Sequence, residues 1–125
     1  MDIPATFIAL YVNVERLLNG KVAIVEGVMN INGFARVYKT IKNTDLYGFI
    51  DKYGNEVIPL KYEYALCYSE GLAVVRFNRK FGYVDNSNKI VIDIEFEDAS
   101  SFENGKAKVR KNSKHYYINM KGETI

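Results

Sequence analysis

A chain of 125 residues with 17 basic and 15 acidic side chains, net charge +2, is 48% apolar and 26% charged. Those proportions exclude a disordered chain and fit one domain with a single core. A charge this close to balance gives no ground for a nucleic-acid partner unless the basic residues gather in a patch.

Cysteine usage narrows the classes further. Cys67 is the one cysteine, so an intramolecular disulfide and a cysteine-ligated zinc site are both excluded, and a reducing compartment, the cytoplasm, is expected. The apolar run over residues 7–12 lacks the basic flank and cleavage signature of a leader. It is also far shorter than the roughly 20 residues that cross a bilayer, so no membrane insertion is expected. Ten Tyr and seven Phe against two Pro favour strands over helices.

Residues 1–32 fit two patterns. Phe7, Leu10 or Tyr11, Val14 and Leu17 make a helical stripe, whereas Ile8, Leu10, Val12 and Val14 alternate as in a strand. Aligning Gly20 with Gly71 sets Tyr11 on Tyr62, Val14 on Ala65 and Leu17 on Tyr68, which favours a degenerate capping repeat. Val22 to Val25 and Val28 to Ile31 then read as two short strands. Any helix is expected within residues 1–20 or in short turns near Tyr68 and Phe102.

From Gly33 the pattern is plain. Ala35 and Val37, Ala73 and Val75, and Ala107 and Val109 hold the same two positions after a glycine, and alternate residues of a strand share one face. That face reads as the core, each Val contributing about 1.5–3 kcal/mol when buried. The neighbours Phe34 and Arg36, Leu72 and Val74, and Lys106 and Lys108 vary freely, which reads as the outer face. Each strand leads through a polar turn into a second one, Tyr47-Gly48-Phe49-Ile50-Asp51 or Phe81-Gly82-Tyr83-Val84-Asp85. The short connection makes the pair antiparallel. Gly33 and Gly71 lie 38 positions apart, Gly71 and Gly105 only 34, and the four extra residues are expected in a longer turn around Lys42 to Asp45.

After the second strand, Asp51-Lys52-Tyr53-Gly54-Asn55 carries the signals of a turn with a left-handed residue, and Asn88 replaces that Gly in the next copy. A third strand follows at Glu56 to Ile58 and at Ile90 to Ile92. Gly48 and Gly82 are expected to lie under a neighbouring strand or ring. The reading is an all-β array of three antiparallel repeats, 33–70, 71–104 and 105–125, behind a cap over 1–32, in a single domain.

These residues resemble the WG-repeat family, whose unit carries Trp-Gly, a Tyr or Phe, an aliphatic residue and Asp, then a Gly turn and Ile-Pro. Tyr47-Gly48-Phe49-Ile50-Asp51, Gly54 and Val57-Ile58-Pro59 carry the likeness most clearly, with Tyr62-Glu63-x-Ala65 and Glu70-Gly71 behind them. Tyr47 and Phe81 stand where Trp is usual, His115-Tyr116 replaces the aromatic-Gly pair, and Asn119 replaces Asp. The third unit is therefore expected to pack differently. The resemblance implies an all-β repeat module found mainly in bacteria, commonly a binding or accessory module, with no family-wide catalytic motif.

Asp51, Asp85, Glu63 and Glu97 recur at repeat positions beside turns and strand ends, so they read as local hydrogen-bond acceptors rather than an acid and base pair. Asn119 fits that role without charge. His115 is the one histidine and stands at the aromatic position of Tyr47 and Phe81, a packing slot. No catalytic residue, metal ligand or cofactor is expected. The binding candidates are basic and aromatic: Arg76 and Arg110 in one column with Tyr38, and Phe34, Arg36, Lys106 and Lys108 on the same alternation. The expected function is non-enzymatic recognition of another protein by an adaptor, inhibitor or immunity-type protein. A basic ladder that grips nucleic acid or a nucleotide is the alternative.

Overall fold

The computed structural model describes Ile24–Val25 and residues 33–125. Among these residues there are eleven strands and no helix: β1 Ile24–Val25, β2 Phe34–Ile41, β3 Thr44–Asp51, β4 Glu56–Tyr62, β5 Tyr64–Ala65, β6 Ala73–Phe77, β7 Lys80–Val84, β8 Ile90–Phe96, β9 Asp98–Ala99, β10 Lys106–Lys111 and β11 Lys114–Asn119. They form three antiparallel sheets in the orders β1-β2-β3-β4, β5-β6-β7-β8 and β11-β10-β9. The chain separates into two compact units, Met1–Tyr62 and Glu63–Ile125; the first holds the first sheet and the second holds the other two.

The repeat is visible in the pairing. Each sheet opens with a two-residue strand placed against the same part of its hairpin. Ile24 and Val25 face Tyr38 and Val37, Tyr64 and Ala65 face Arg76 and Val75, and Asp98 and Ala99 face Arg110 and Val109. Ile24–Val25 lies inside the strand expected over residues 22–25, with Val25 in the place of Ala65. The remainder of the expected cap lies outside the described residues.

The hairpins close on two-residue turns, Lys42-Asn43, Asn78-Arg79 and Asn112-Ser113, in which both residues have positive φ, the mark of the type I′ turn that suits strand twist. The segments after Tyr68 and Phe102 close likewise, on Glu70-Gly71 and Asn104-Gly105. One expectation is corrected here. The four extra residues of the first repeat do not lengthen its turn, because Lys39, Thr40 and Ile41 pair with Leu46, Asp45 and Thr44, whereas only Phe77 and Lys80 pair beyond the matching point in the second hairpin. The insertion makes two more rungs of ladder, which satisfy its backbone groups without a longer loop.

Gly48 and Gly82 sit where a third strand crosses. Opposite Gly82 the register of β7 against β8 jumps from Phe81↔Phe96 to Tyr83↔Ile92, and a Cβ on Gly82 would stand 2.6 Å from the Cα of Ile94. At Gly48 the backbone of Ile58 and Pro59 fills the same space. In the third sheet Tyr116 holds this position, half-buried, with its ring 6.5 Å from that of Phe96. Among the described residues no strand crosses it, so the side chain has room.

Among the described residues of the first unit, Ala35, Val37, Tyr47, Phe49, Ile50, Ile58 and Tyr62 are buried. In the second unit a core of Leu72, Val74, Tyr83, Phe96, Ala107 and Val109, among others, joins the second sheet to the third. This corrects the reading of a free outer face: Leu72 and Val74 stand on it, yet they are 6% and 1% exposed. They join one core with Phe102, Ala107 and Val109, so β6 is buried on both faces.

Candidate functional site

The carboxylates that recur along the chain are committed to the backbone. Asp51 Oδ1 accepts the N–H groups of Tyr53 and Asn55, both at 2.9 Å. Asp85 Oδ1 does the same for Ser87 and Lys89 at 2.9 Å, and Asn119 Oδ1 for Lys121 and Glu123 at 2.9 and 3.0 Å. Each is an Asx-type turn, which needs an acceptor and no charge. Asn88, in the place of Gly54, has φ of 64°, the left-handed conformation expected of it.

Glu63 and Glu97 act at longer range. Glu63 accepts from the turn residues Asn78 and Arg79 at 2.8 and 3.1 Å, and Glu97 from Ser113 at 3.0 Å. The same groups pair with Arg76 at 3.7 Å and Arg110 at 3.3 Å. Each glutamate thus fixes the hairpin turn beside which it lies and draws one arginine with it.

Those ion pairs change the look of the basic column. Arg76 is half-buried, held by Glu63 and stacked 5.7 Å from the ring centre of Phe81. Arg36 lies 5.6 Å over Tyr47, whose ring is 5.4 Å from that of Tyr38. Phe34, Arg36 and Tyr38 are all half-buried on β2 in the first unit. The structure brings together Lys106, Lys108 and Arg110 on β10 and leaves Arg76 on a different sheet. Val74, between Arg36 and Lys108 in the repeat, is buried in the core.

The outer face of the third sheet is therefore the candidate site. Lys106 and Lys108 are exposed there, and Tyr117, directly across from Lys108, is 44% exposed. Lys106 Nζ rests 5.1 Å over the Tyr117 ring, an arrangement that attracts the cation to the ring face. Ser100 ties the short strand to β10, its N–H donating to the Lys108 carbonyl and its hydroxyl accepting the Lys108 N–H, both at 2.9 Å. On one side of this rung is an open depression of about 320 Å³ edged by Ser101, Glu103, Asn104, Lys106 and Tyr117. On the other side is one of about 210 Å³ that reaches Asp98 and His115.

His115 does not fill a packing slot; it is exposed. Tyr47 and Phe81 are covered because Tyr62 and Phe96 of a third strand lie opposite them; among the described residues His115 has no such strand beside it. Sequence reasoning also passed over Tyr117. The signal was available: Phe49, Tyr83 and Tyr117 are one repeat position, and the first two are wholly buried. Among the described residues no group of three or more His, Cys, Asp or Glu side chains is placed to hold a metal ion. No helix there is long and apolar enough to cross a membrane.

Comparison with known proteins agrees with the repeat. The model of one protein family, described as the WG containing repeat, matches residues 47–81 and again 81–114. No curated protein and no solved structure matches the chain.

Proposed function

The chain belongs to the WG-containing repeat family, and from that premise we propose that it is a non-enzymatic recognition module whose target is another protein. One observation carries the reading. Where the second repeat buries Leu72, Val74 and Tyr83, the third presents Lys106, Lys108 and Tyr117 to solvent. An exposed sheet face with an aromatic anchor carries the residue type in which interface energy concentrates, and the two lysines beside it supply charge that steers and selects a partner. The recurrent carboxylates support the non-enzymatic part, since each already accepts backbone N–H groups.

An adaptor, an inhibitor and an immunity-type protein all fit a module of this size acting in the cytoplasm. The test is affinity capture from a lysate of the source cells with and without nuclease, using the wild-type chain and a Lys108→Glu, Tyr117→Ala variant side by side. One protein recovered by the wild type and lost with the variant is the expected result. Recovery that disappears with nuclease favours the nucleic-acid alternative, and equal recovery by both chains removes this face from the reading.

A further inference from the structure

We infer that the outer face of the third sheet receives an extended acidic segment of a partner protein, with an aromatic side chain seated edge-on against Tyr117. The inference rests on the protein-recognition reading and adds the chemistry of the occupant.

The second unit supplies the template. Its residues 100–105 lie along the second sheet as an extended segment closed by a tight turn, held there by side-chain hydrogen bonds and a ring contact. Tyr83 donates its hydroxyl to the Ser100 carbonyl at 2.7 Å, and its ring meets Phe102 edge-on, with centres 4.8 Å apart. Ser69 donates its hydroxyl to the Phe102 carbonyl at 2.6 Å. Glu70 accepts the N–H groups of Asn104 and Gly105 at 2.7 and 2.9 Å. Beneath the segment Leu72 and Val74 close the core.

Moved one repeat on, this seat becomes Glu103, Asn104, Lys106, Lys108 and Tyr117, and all five line the larger depression. The depression is thus the place that residues 100–105 fill one repeat earlier. Tyr117 keeps both the phenol that binds a carbonyl and the ring that meets an aromatic edge. Asn104 offers an amide to a backbone where Glu70 offered a carboxylate. The floor is what changes. Two ammonium groups replace Leu72 and Val74, and covering them with another apolar sheet is costly. Carboxylates laid on the same floor would neutralise them. Glu103, in the place of Ser69, accepts where Ser69 donates and sets one like charge against the two lysines; an acidic, aromatic-bearing strand fits the remainder of the seat.

The experiment uses three probes on the full chain: a random copolymer of glutamate and tyrosine, polyglutamate, and single-stranded oligothymidine. Fluorescence anisotropy is read at low and moderate salt. The copolymer should bind more tightly than polyglutamate. Charge reversal at Lys106 and Lys108 together should weaken it by about tenfold or more. Tyr117→Ala should bring the copolymer down to the level of polyglutamate. All three side chains are exposed, and an unchanged circular dichroism spectrum confirms that each variant folds.

Equal binding of copolymer and polyglutamate, no copolymer binding, or indifference to the charge reversal overturns the inference. So does tighter binding of the oligothymidine through the same residues, which identifies a nucleic-acid face. If the copolymer fails while a nuclease-resistant protein is still captured through Lys108 and Tyr117, the acidic-strand chemistry falls and protein recognition stands.

Discussion

The Cα of Ile94 stands 2.6 Å from the point where a side chain on Gly82 would begin, and the Ile92 carbonyl oxygen stands 2.8 Å from it. Two strands approach this closely only because one of them has no Cβ there. Gly82→Val should therefore destabilise the protein by about 2 kcal/mol or more, through overpacking against backbone that has nowhere to move. Urea denaturation measures this directly. A midpoint equal to that of the wild type would show that the crossing strand is free to lift.

Tyr83 is wholly buried, and burial, reinforced by the nearby charge of Asp98, pushes its phenol well above the ordinary tyrosine value of 10.0. The folded state thus keeps the proton that the unfolded chain releases. The stabilising contribution is complete below pH 10 and declines as pH rises above it, because there the unfolded state binds fewer protons. Tyr83→Phe should remove that part of the alkaline decline. At neutral pH it should cost about 0.5–1.5 kcal/mol, since the Ser100 carbonyl loses its donor. Denaturation at neutral and alkaline pH checks both effects.

Glu97 and Arg110 are paired at 3.3 Å, but their loss should not be equal. Glu97→Ala also removes the acceptor of the Ser113 N–H and should cost about 1 kcal/mol. Arg110→Ala breaks a solvent-accessible ion pair and should cost less than about 1 kcal/mol. The reverse order in thermal denaturation would show that the ion pair, not the turn, is what Glu97 provides.

The same pairing bears on the nucleic-acid alternative. The carboxylates of Glu63 and Glu97 stand 3.7 and 3.3 Å from the Nε atoms of Arg76 and Arg110, so their charge should offset what either arginine contributes to holding phosphate. Replacing both by Ala should leave the salt dependence of oligothymidine binding unaltered. A slope shallower by about one unit for each arginine would show that they do contact the polymer.

Ser113 holds φ at 62° in an exposed turn, a conformation that an L side chain resists and glycine does not. Ser113→Gly should raise stability by about 0.5–1 kcal/mol, the strain relieved exceeding the added freedom of the unfolded chain. An increase in melting temperature without change in the spectrum is the expected observation.

Much of the fold is legible in the residues themselves because it is local. Alternating faces, the Asp turns and the need for Gly48 and Gly82 all follow from backbone conformation and from a repeat that aligns without gaps between its second and third copies. The candidate site is only partly legible. Lys106, Lys108 and Arg110 share a strand face by alternation alone, and that much the pattern determined. It could not show that Arg110 is drawn to Glu97 and Arg76 to Glu63, since those contacts join positions 13 apart in sequence. Nor could alternation tell that the face bearing Leu72 and Val74 is core while the same face one repeat on lies open. Only the packing of the third sheet against the second decides this, because burial depends on what lies across the face and not on the strand that carries it. Tyr83 and Tyr117 make the point: one residue type at one repeat position is a buried hydrogen-bond donor beneath Ser100 and an exposed anchor where no sheet follows among the described residues.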